Sequence, residues 1–444
     1  MENTEDLLFK AKEVLTLNDR GNYTCPNYAL YPYQWLWDSC FIAIGLAHLD
    51  TERAKQEILS LFEGQWSNGM VPNMIMWKLY KKGIDANTHE EHIWKSWLNP
   101  AAPDDIQTSG ITQPPMIAEA VVKIGEKMNK AERIHWYKQV YGPLLNYHTW
   151  LFDERAPHKE GLVLLIHPWE CGLDNTPPWM EELSEHSLPF WIKVIIKLRI
   201  DALLGLVRKD THYVKGSQRI SNVEALSLYA AHRRLRRKRY VFSKIIEHSL
   251  FAIEDLTFNS IFIRANRHLK DIAKTIGKEL PKDFSEQIEK SEKAFESLWD
   301  EYAGEFFSRD FVSHRLLKES SIASFMPLYS GAISKEKAKR IVDNLKNIHK
   351  YKTEFPVPST PLNSIWFNAD RYWQGPTWIN TNWLLIEGLK NYGFDKEAEE
   401  LKNSTIKLVD NSGIHEYYNP LNGKALGCKD FSWTASLVID MLMN

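Results

Sequence analysis

Apolar residues recur at three- and four-residue spacing along most of this 444-residue chain, and long runs of strict alternation are scarce. That periodicity gives each of many helices an apolar stripe and leaves little sequence from which to build a large sheet. The spacing predicts helices over 39–50, 53–63, 114–127, 131–152, 186–208, 222–236, 241–278, 283–299, 335–348, 378–391, 395–408 and 432–442. Thr51 is placed to cap the second of these. Pro114 and Pro115 suit the first turn of the third, where a proline loses no intrahelical bond. Gly277 marks either a stop or an interruption before Pro281, and the short apolar pieces 161–166 and 304–310 suit hairpins.

No glycine- or proline-rich linker divides the chain, so residues 1–444 are expected to form a single domain with loop insertions at about 64–113, 154–185 and 349–377. About a dozen helices joined alternately by short and long connections can close into an inner and an outer ring. The fold class expected is therefore all-α, an (α/α)6 barrel whose long loops gather at one end as a pocket. An open solenoid would repeat its helix pairs at a fixed period, and no such period appears.

A formal charge of −2 provides no field to attract nucleic acid or an anionic membrane. The one basic run, 233–239, falls in a helical stretch and reads as a solvated face. Cys25, Cys40, Cys171 and Cys428 are scattered, without a C-x-x-C pair, and no apolar segment approaches the ~20 residues needed to span a bilayer. The charged start of the chain lacks the apolar core of a signal peptide, so a cytoplasmic protein is expected. Its partner should be a small molecule; whether it forms a homo-oligomer is left open, because outer helix faces read alike whether wet or covered.

The informative bias is aromatic: 17 Trp, 18 Tyr and 19 Phe, with many Trp in polar loops such as 31–40, 167–180 and 369–383. Flat apolar faces rimmed by carboxylates and amides suit a sugar ring. Cleaving a glycosidic bond with inversion takes one protonated carboxyl and one carboxylate, standing roughly 6.5–9.5 Å apart. The loop HPWECGLDN supplies Glu170 and Asp174, with Gly172 between them allowing a tight path, and Trp169 and Trp179 lowering the solvation that would favour ionisation. Either carboxyl could be the acid on this reading. The loop HEYYNPLNG supplies Glu416, and its Asn419-Pro420 and Asn422-Gly423 pairs read as turns.

Seven stations occur in order from about residue 29 to the carboxyl end: YPYQWLWDSCF, NGMVPN, SGITQPP, HPWECGLDN, RYWQGPTWINTNWLL, HEYYNPLNG and FSWTA. Together they resemble glycoside hydrolase family 63, and within it the small mannosylglycerate and glucosylglycerate hydrolases. The resemblance implies an inverting hydrolase in which Asp174 matches the general acid and Glu416 the base. It also implies that Asp38 grips sugar hydroxyls and that Tyr33, Trp37, Gln113, Trp373 and Gln374 line the same subsite. Trp169 and Glu170 are expected beside them.

Glycerate carries a carboxylate and calls for a cation in the outer subsite. Arg219 resembles the arginine that fills this role, although the tyrosine that should follow it is not obvious in ISNVEAL. The segment from Met76 through Trp97, with Tyr80, is expected to fold over the pocket as a lid. His89 and His92 lie three apart without further ligands at metal spacing, and two-carboxylate hydrolysis needs neither metal nor cofactor, so none is expected. The competing functions are an α-glucosidase or trehalase-like hydrolase acting on a neutral disaccharide, and a non-catalytic carbohydrate-binding protein.

Overall fold

The computed structural model describes residues 2–77, 93–185, 190–198, 208–247, 249 and 251–444. Twelve of the described helices form two rings. In chain order these are α1 (Glu2–Asn18), α2 (Leu36–Leu46), α3 (Thr51–Glu63), α4 (Ile117–Glu126), α5 (Lys130–Arg155), α6 (Leu256–Thr275), α7 (Lys282–Phe295), α8 (Met326–Ser330), α9 (Lys335–Leu345), α10 (Ile379–Asn391), α11 (Asp395–Ser412) and α12 (Ser432–Met443). The even-numbered helices touch in the cycle α2, α4, α6, α8, α10, α12 and back to α2, which closes the inner ring. The odd-numbered ones pack outside it, α3 against α2 and α4, α5 against α4 and α6, and α11 against α10 and α12. The chain thus folds as an (α/α)6 barrel.

Sequence sorts the helices between the rings. Every residue of α2 is buried, as are Ser432 to Met441 of α12, because an inner helix is covered on all sides. The outer α3 buries only Ala54, Glu57, Ile58, Ser60 and Leu61, a single stripe. A continuous apolar core runs from Leu7 to Met441, with a small satellite of Ile192, Leu226 and Ala230. No helix among the described residues is long and apolar enough to cross a membrane.

Several expected boundaries move. Asp50, not Thr51, caps α3, accepting from the amides of Glu52 and Arg53 at 2.9 and 3.0 Å. Pro114 and Pro115 precede α4 instead of opening it. The expected helix 241–278 divides into Phe242–Ile246, a strand Ile253–Glu254 and α6. The division arises because Ile253 and Glu254 pair with Arg309–Asp310, and Asp255 then caps α6 through the amide of Phe258 at 2.7 Å. Gly277, at φ 72°, lies just beyond the end of α6. Of the expected helix 186–208, Phe190–Lys197 is helical and residues 186–189 and 199–207 lie outside the described residues. The loop 154–185 contains an unexpected helix, Pro177–Glu185.

Two small sheets aim the chain into the barrel mouth. Gln34–Trp35, Met74–Met76 and Gln107–Thr108 form an antiparallel sheet that runs directly into the start of α2, placing Trp37 and Asp38 in its first turn. His415–Tyr418 and Ala425–Lys429 form a hairpin that leads into α12.

Candidate active site

A cavity of about 430 Å³ opens among the loops at the starts of the inner helices, within the usual range for small-molecule sites. Tyr33, Trp37, Asp38, Gln113, Trp169, Asp174, Trp373 and Glu416 all line it, so the geometry brings together eight of the residues singled out from sequence. Of the segment from Met76 through Trp97 expected to act as a lid, residues 78–92, with Tyr80, His89 and His92, lie outside the described residues.

Glu416 owes its position to a β-bulge. His415 pairs with Lys429 and Tyr417 with Leu426, so Gly427 and Cys428 together oppose Glu416. Gly427 adopts φ 67°, the left-handed conformation that a glycine reaches without strain. A Cβ there would stand 2.5 Å from Glu416 Oε2. The bulge frees the amide of Cys428 to donate to Oε2 at 3.1 Å, while the Tyr31 hydroxyl donates to Oε1 at 3.1 Å and Arg219 Nη1 reaches Oε1 at 3.1 Å. Asn419 Oδ1 accepts from the amides of Leu421 and Asn422, forming the turn expected there.

Asp174 sits in the opposite environment. Burial pushes its carboxyl up to about 7, against the pull of the Arg219 charge and of a hydrogen bond from the Tyr372 hydroxyl to Oδ2 at 3.2 Å. Its loop is held through Asn175, whose Oδ1 accepts from the amide of Trp373 at 3.1 Å and whose carbonyl accepts from Gln374 Nε2 at 3.0 Å. Tyr372 itself has φ 39°, a left-handed conformation costly for an aromatic residue. It is pinned there by the Trp378 indole donating to its carbonyl at 3.0 Å. Backbone strain retained at a cavity wall is characteristic of functional sites.

Asp38 is also raised well above the usual carboxyl range, by burial first and then by the charges of Glu416 and Asp174. Trp373 is stacked on Trp378 at 3.7 Å, and Trp37 meets Trp433 edge to face at 5.7 Å, so the aromatic walls are fixed from behind. Gly172, at φ 75°, lies against the Trp37 ring, where a Cβ would meet the indole at 2.5 Å.

Three expected ligand contacts are placed differently. Glu170 is fully buried behind the wall, where it pairs with Arg155 at 2.7 and 3.1 Å and accepts the amide of Ile166 at 2.8 Å. It anchors the Asp174 loop because a buried carboxylate must be paired where water cannot reach it. Gln374 is likewise buried, bridging Asn175 and Glu224. Arg219 does not line the cavity; its guanidinium is taken by Glu416, Tyr31 and Asp210.

Sequence reasoning passed over Tyr31, Tyr372 and Trp433, although all three fall inside the recognised stations. It also passed over Arg208, Lys209 and Asp210, which line the cavity and belong to no station. No cluster of three or more metal-ligating side chains occurs among the described residues.

Comparison with known proteins agrees with this geometry. Residues 31–434 match the family model described as the mannosylglycerate hydrolase MGH1-like glycoside hydrolase domain. A mannosylglycerate hydrolase of Thermus thermophilus is 37% identical over 97% of this chain and 99% of its own length. The glucosylglycerate hydrolase of Mycolicibacterium hassiacum is 29% identical over 98% of this chain and 97% of its own length. A crystal structure of the GH63 mannosylglycerate hydrolase from another strain of Thermus thermophilus, in complex with Tris and D-glycerate, superposes with a TM-score of 0.85 at 35% identity, over 98% of this chain and 99% of that one. The chain therefore belongs to the mannosylglycerate and glucosylglycerate hydrolase group of glycoside hydrolase family 63.

Proposed function

We propose that this glycoside hydrolase cleaves the α-glycosidic bond of a glycosylglycerate with inversion, Asp174 serving as general acid and Glu416 as general base. The observation that carries the reading is the contrast in surroundings of two carboxyls on one cavity: burial pushes Asp174 up to about 7, while a cation, a hydroxyl and an amide contact Glu416. Asp174 gives its proton to the glycosidic oxygen as the bond to C1 breaks. Glu416 takes a proton from a water whose oxygen bonds to C1 from the opposite face. An α-linked substrate then yields β-hexose and glycerate.

Asp38 lines the cavity, its carboxyl raised by burial, within reach of sugar hydroxyls, and Trp37 and Trp373 supply the apolar faces. The preference for an acidic aglycone is supported by the exposed Lys209 on the cavity lining and by the similarity to mannosylglycerate and glucosylglycerate hydrolases. Four free, buried cysteines suit the cytoplasmic location expected from sequence.

The purified protein is to be incubated with mannosylglycerate, glucosylglycerate, trehalose and kojibiose, and the products followed by proton NMR. Early β-anomer from a glycosylglycerate is the expected result. Early α-anomer would overturn the inverting mechanism, and turnover of trehalose or kojibiose alone would favour the neutral-aglycone reading. Asp174→Asn and Glu416→Gln should each remove most turnover, since each deletes a separate proton transfer.

A further inference from the structure

We infer that Arg219 is a positioning residue for the reaction, fixing the Glu416 carboxylate for attack by water, and is not the group that binds the substrate's carboxylate. The inference rests on the reading of Glu416 as base.

All three guanidinium nitrogens are engaged. Nη1 contacts Glu416 Oε1 at 3.1 Å and Oε2 at 3.4 Å, Nη2 donates to the Tyr31 hydroxyl at 2.6 Å, and Nε faces Asp210 Oδ2 at 3.4 Å. A substrate carboxylate binds arginine best through two parallel N–H groups, and the fork available for that geometry is already spent on Glu416 and Tyr31. The side chain is also 7% exposed and lies behind the cavity wall, whereas Glu416, Tyr31, Tyr372 and Asp210 all line the cavity. Lys209 is the exposed cation on that lining.

The same guanidinium packs 4.2 Å above the centre of the Tyr372 ring, and the Tyr372 hydroxyl donates to Asp174. One buried cation therefore braces both proton-transfer groups, by direct contact on the base side and through an aromatic ring on the acid side. On Glu416, Tyr31 and Arg219 donate to Oε1 while Cys428 and, at longer range, Arg219 donate to Oε2, so contacts on both oxygens fix the direction in which the carboxylate faces the cavity. Without Arg219 the carboxylate keeps two fixed donors and loses its orientation.

The test uses R219Q and R219K on two kinds of substrate. The α-mannosyl and α-glucosyl fluorides carry no carboxylate, and fluoride departs from C1 without a general acid, so their turnover reports water activation by Glu416. Mannosylglycerate adds the aglycone. We expect R219Q to lower kcat about 100-fold on the fluorides and on mannosylglycerate alike, with KM little changed, and R219K to recover about 10-fold of it because it keeps the charge. Wild-type turnover of the fluorides by R219Q, with a raised KM for mannosylglycerate alone, would make Arg219 the carboxylate anchor and overturn the inference. Equal loss in both variants would also overturn it, since charge would then be irrelevant. Melting curves identify a variant that fails to fold, in which case R219K alone decides. Wild-type protein that hydrolyses a fluoride but no glycosylglycerate would defeat the proposed substrate and leave the role of Arg219 intact.

Discussion

Replacing Tyr372 by phenylalanine isolates the one side-chain hydrogen bond that stabilises the charged form of Asp174. The Tyr372 hydroxyl donates to Oδ2 at 3.2 Å, and that donation pulls the carboxyl down against a burial that raises it to about 7. A hydrogen bond to a charged group contributes about 1.5–3 kcal/mol, or about 1–2 pH units. The bond is long for two oxygens, so the lower figure applies and Asp174 should titrate near 8 in the variant. The ring remains, and with it the stacking of Arg219 at 4.2 Å, so the other influence on Asp174 is preserved. The acid must be protonated to work. At pH 8 the wild type retains about one tenth of its acid form and Y372F about half, so the ratio of kcat/KM at pH 8 to that at pH 6 should rise about fivefold. The measurement is kcat/KM for mannosylglycerate from pH 5 to 9.5 in both proteins. A basic limb that stays in place, or moves to lower pH, would refute the assignment of the acid or of its electrostatic control.

Asp174→Asn should raise thermal stability while removing activity, and more so at pH 8 than at pH 5. The folded carboxyl titrates above its unfolded value, so its contribution is fully present below pH 3.8 and is lost as pH rises through about 7, a cost on the order of 4 kcal/mol that the amide never incurs; a Tm difference that does not grow with pH would count against it. Gly427→Ala should leave the fold in place and lower kcat about 100-fold, because its Cβ would displace Glu416 Oε2 from 2.5 Å away; kinetics with circular dichroism tests this, and wild-type kcat would remove the bulge from the mechanism. Glu119→Gln should destabilise the protein by about 3–5 kcal/mol in urea titration, since it strips the buried partner from Arg264 and His268 inside the ring, yet kcat should persist because none of the three lines the cavity.

The helical class was legible because the 3.6-residue period is a local property, and α2, α3, α10, α11 and α12 appear close to where the spacing put them. The expected helix 241–278 misled because its middle is apolar enough for either state; the pairing of Ile253–Glu254 with Arg309–Asp310, more than fifty residues away, decides for strand. The inner helix α8 has only five residues, too few to display a period, and is helical because neighbouring helices bury it completely. Within the site, Asp38, in the first turn of α2, was marked only by the resemblance, whereas Asp174 and Glu416 stood out because carboxyls in loops rich in tryptophan, glycine and proline are conspicuous. Glu170 stood out for the same reason and proved to be an anchor, since nothing adjacent in sequence reveals that Arg155 waits behind it.

By itself the sequence determined an ordinary globular composition, a succession of amphipathic and fully apolar helices, and the loops that carry the carboxyls. Tertiary structure alone decided what surrounds each carboxyl: burial for Asp174, a cation, a hydroxyl and an amide for Glu416, and Arg155 for Glu170. Ionisation depends on burial and on partners a few ångströms away. Those partners, Arg219 for Glu416 and Tyr372 for Asp174, lie 197 and 198 residues distant along the chain, where no local pattern can specify them.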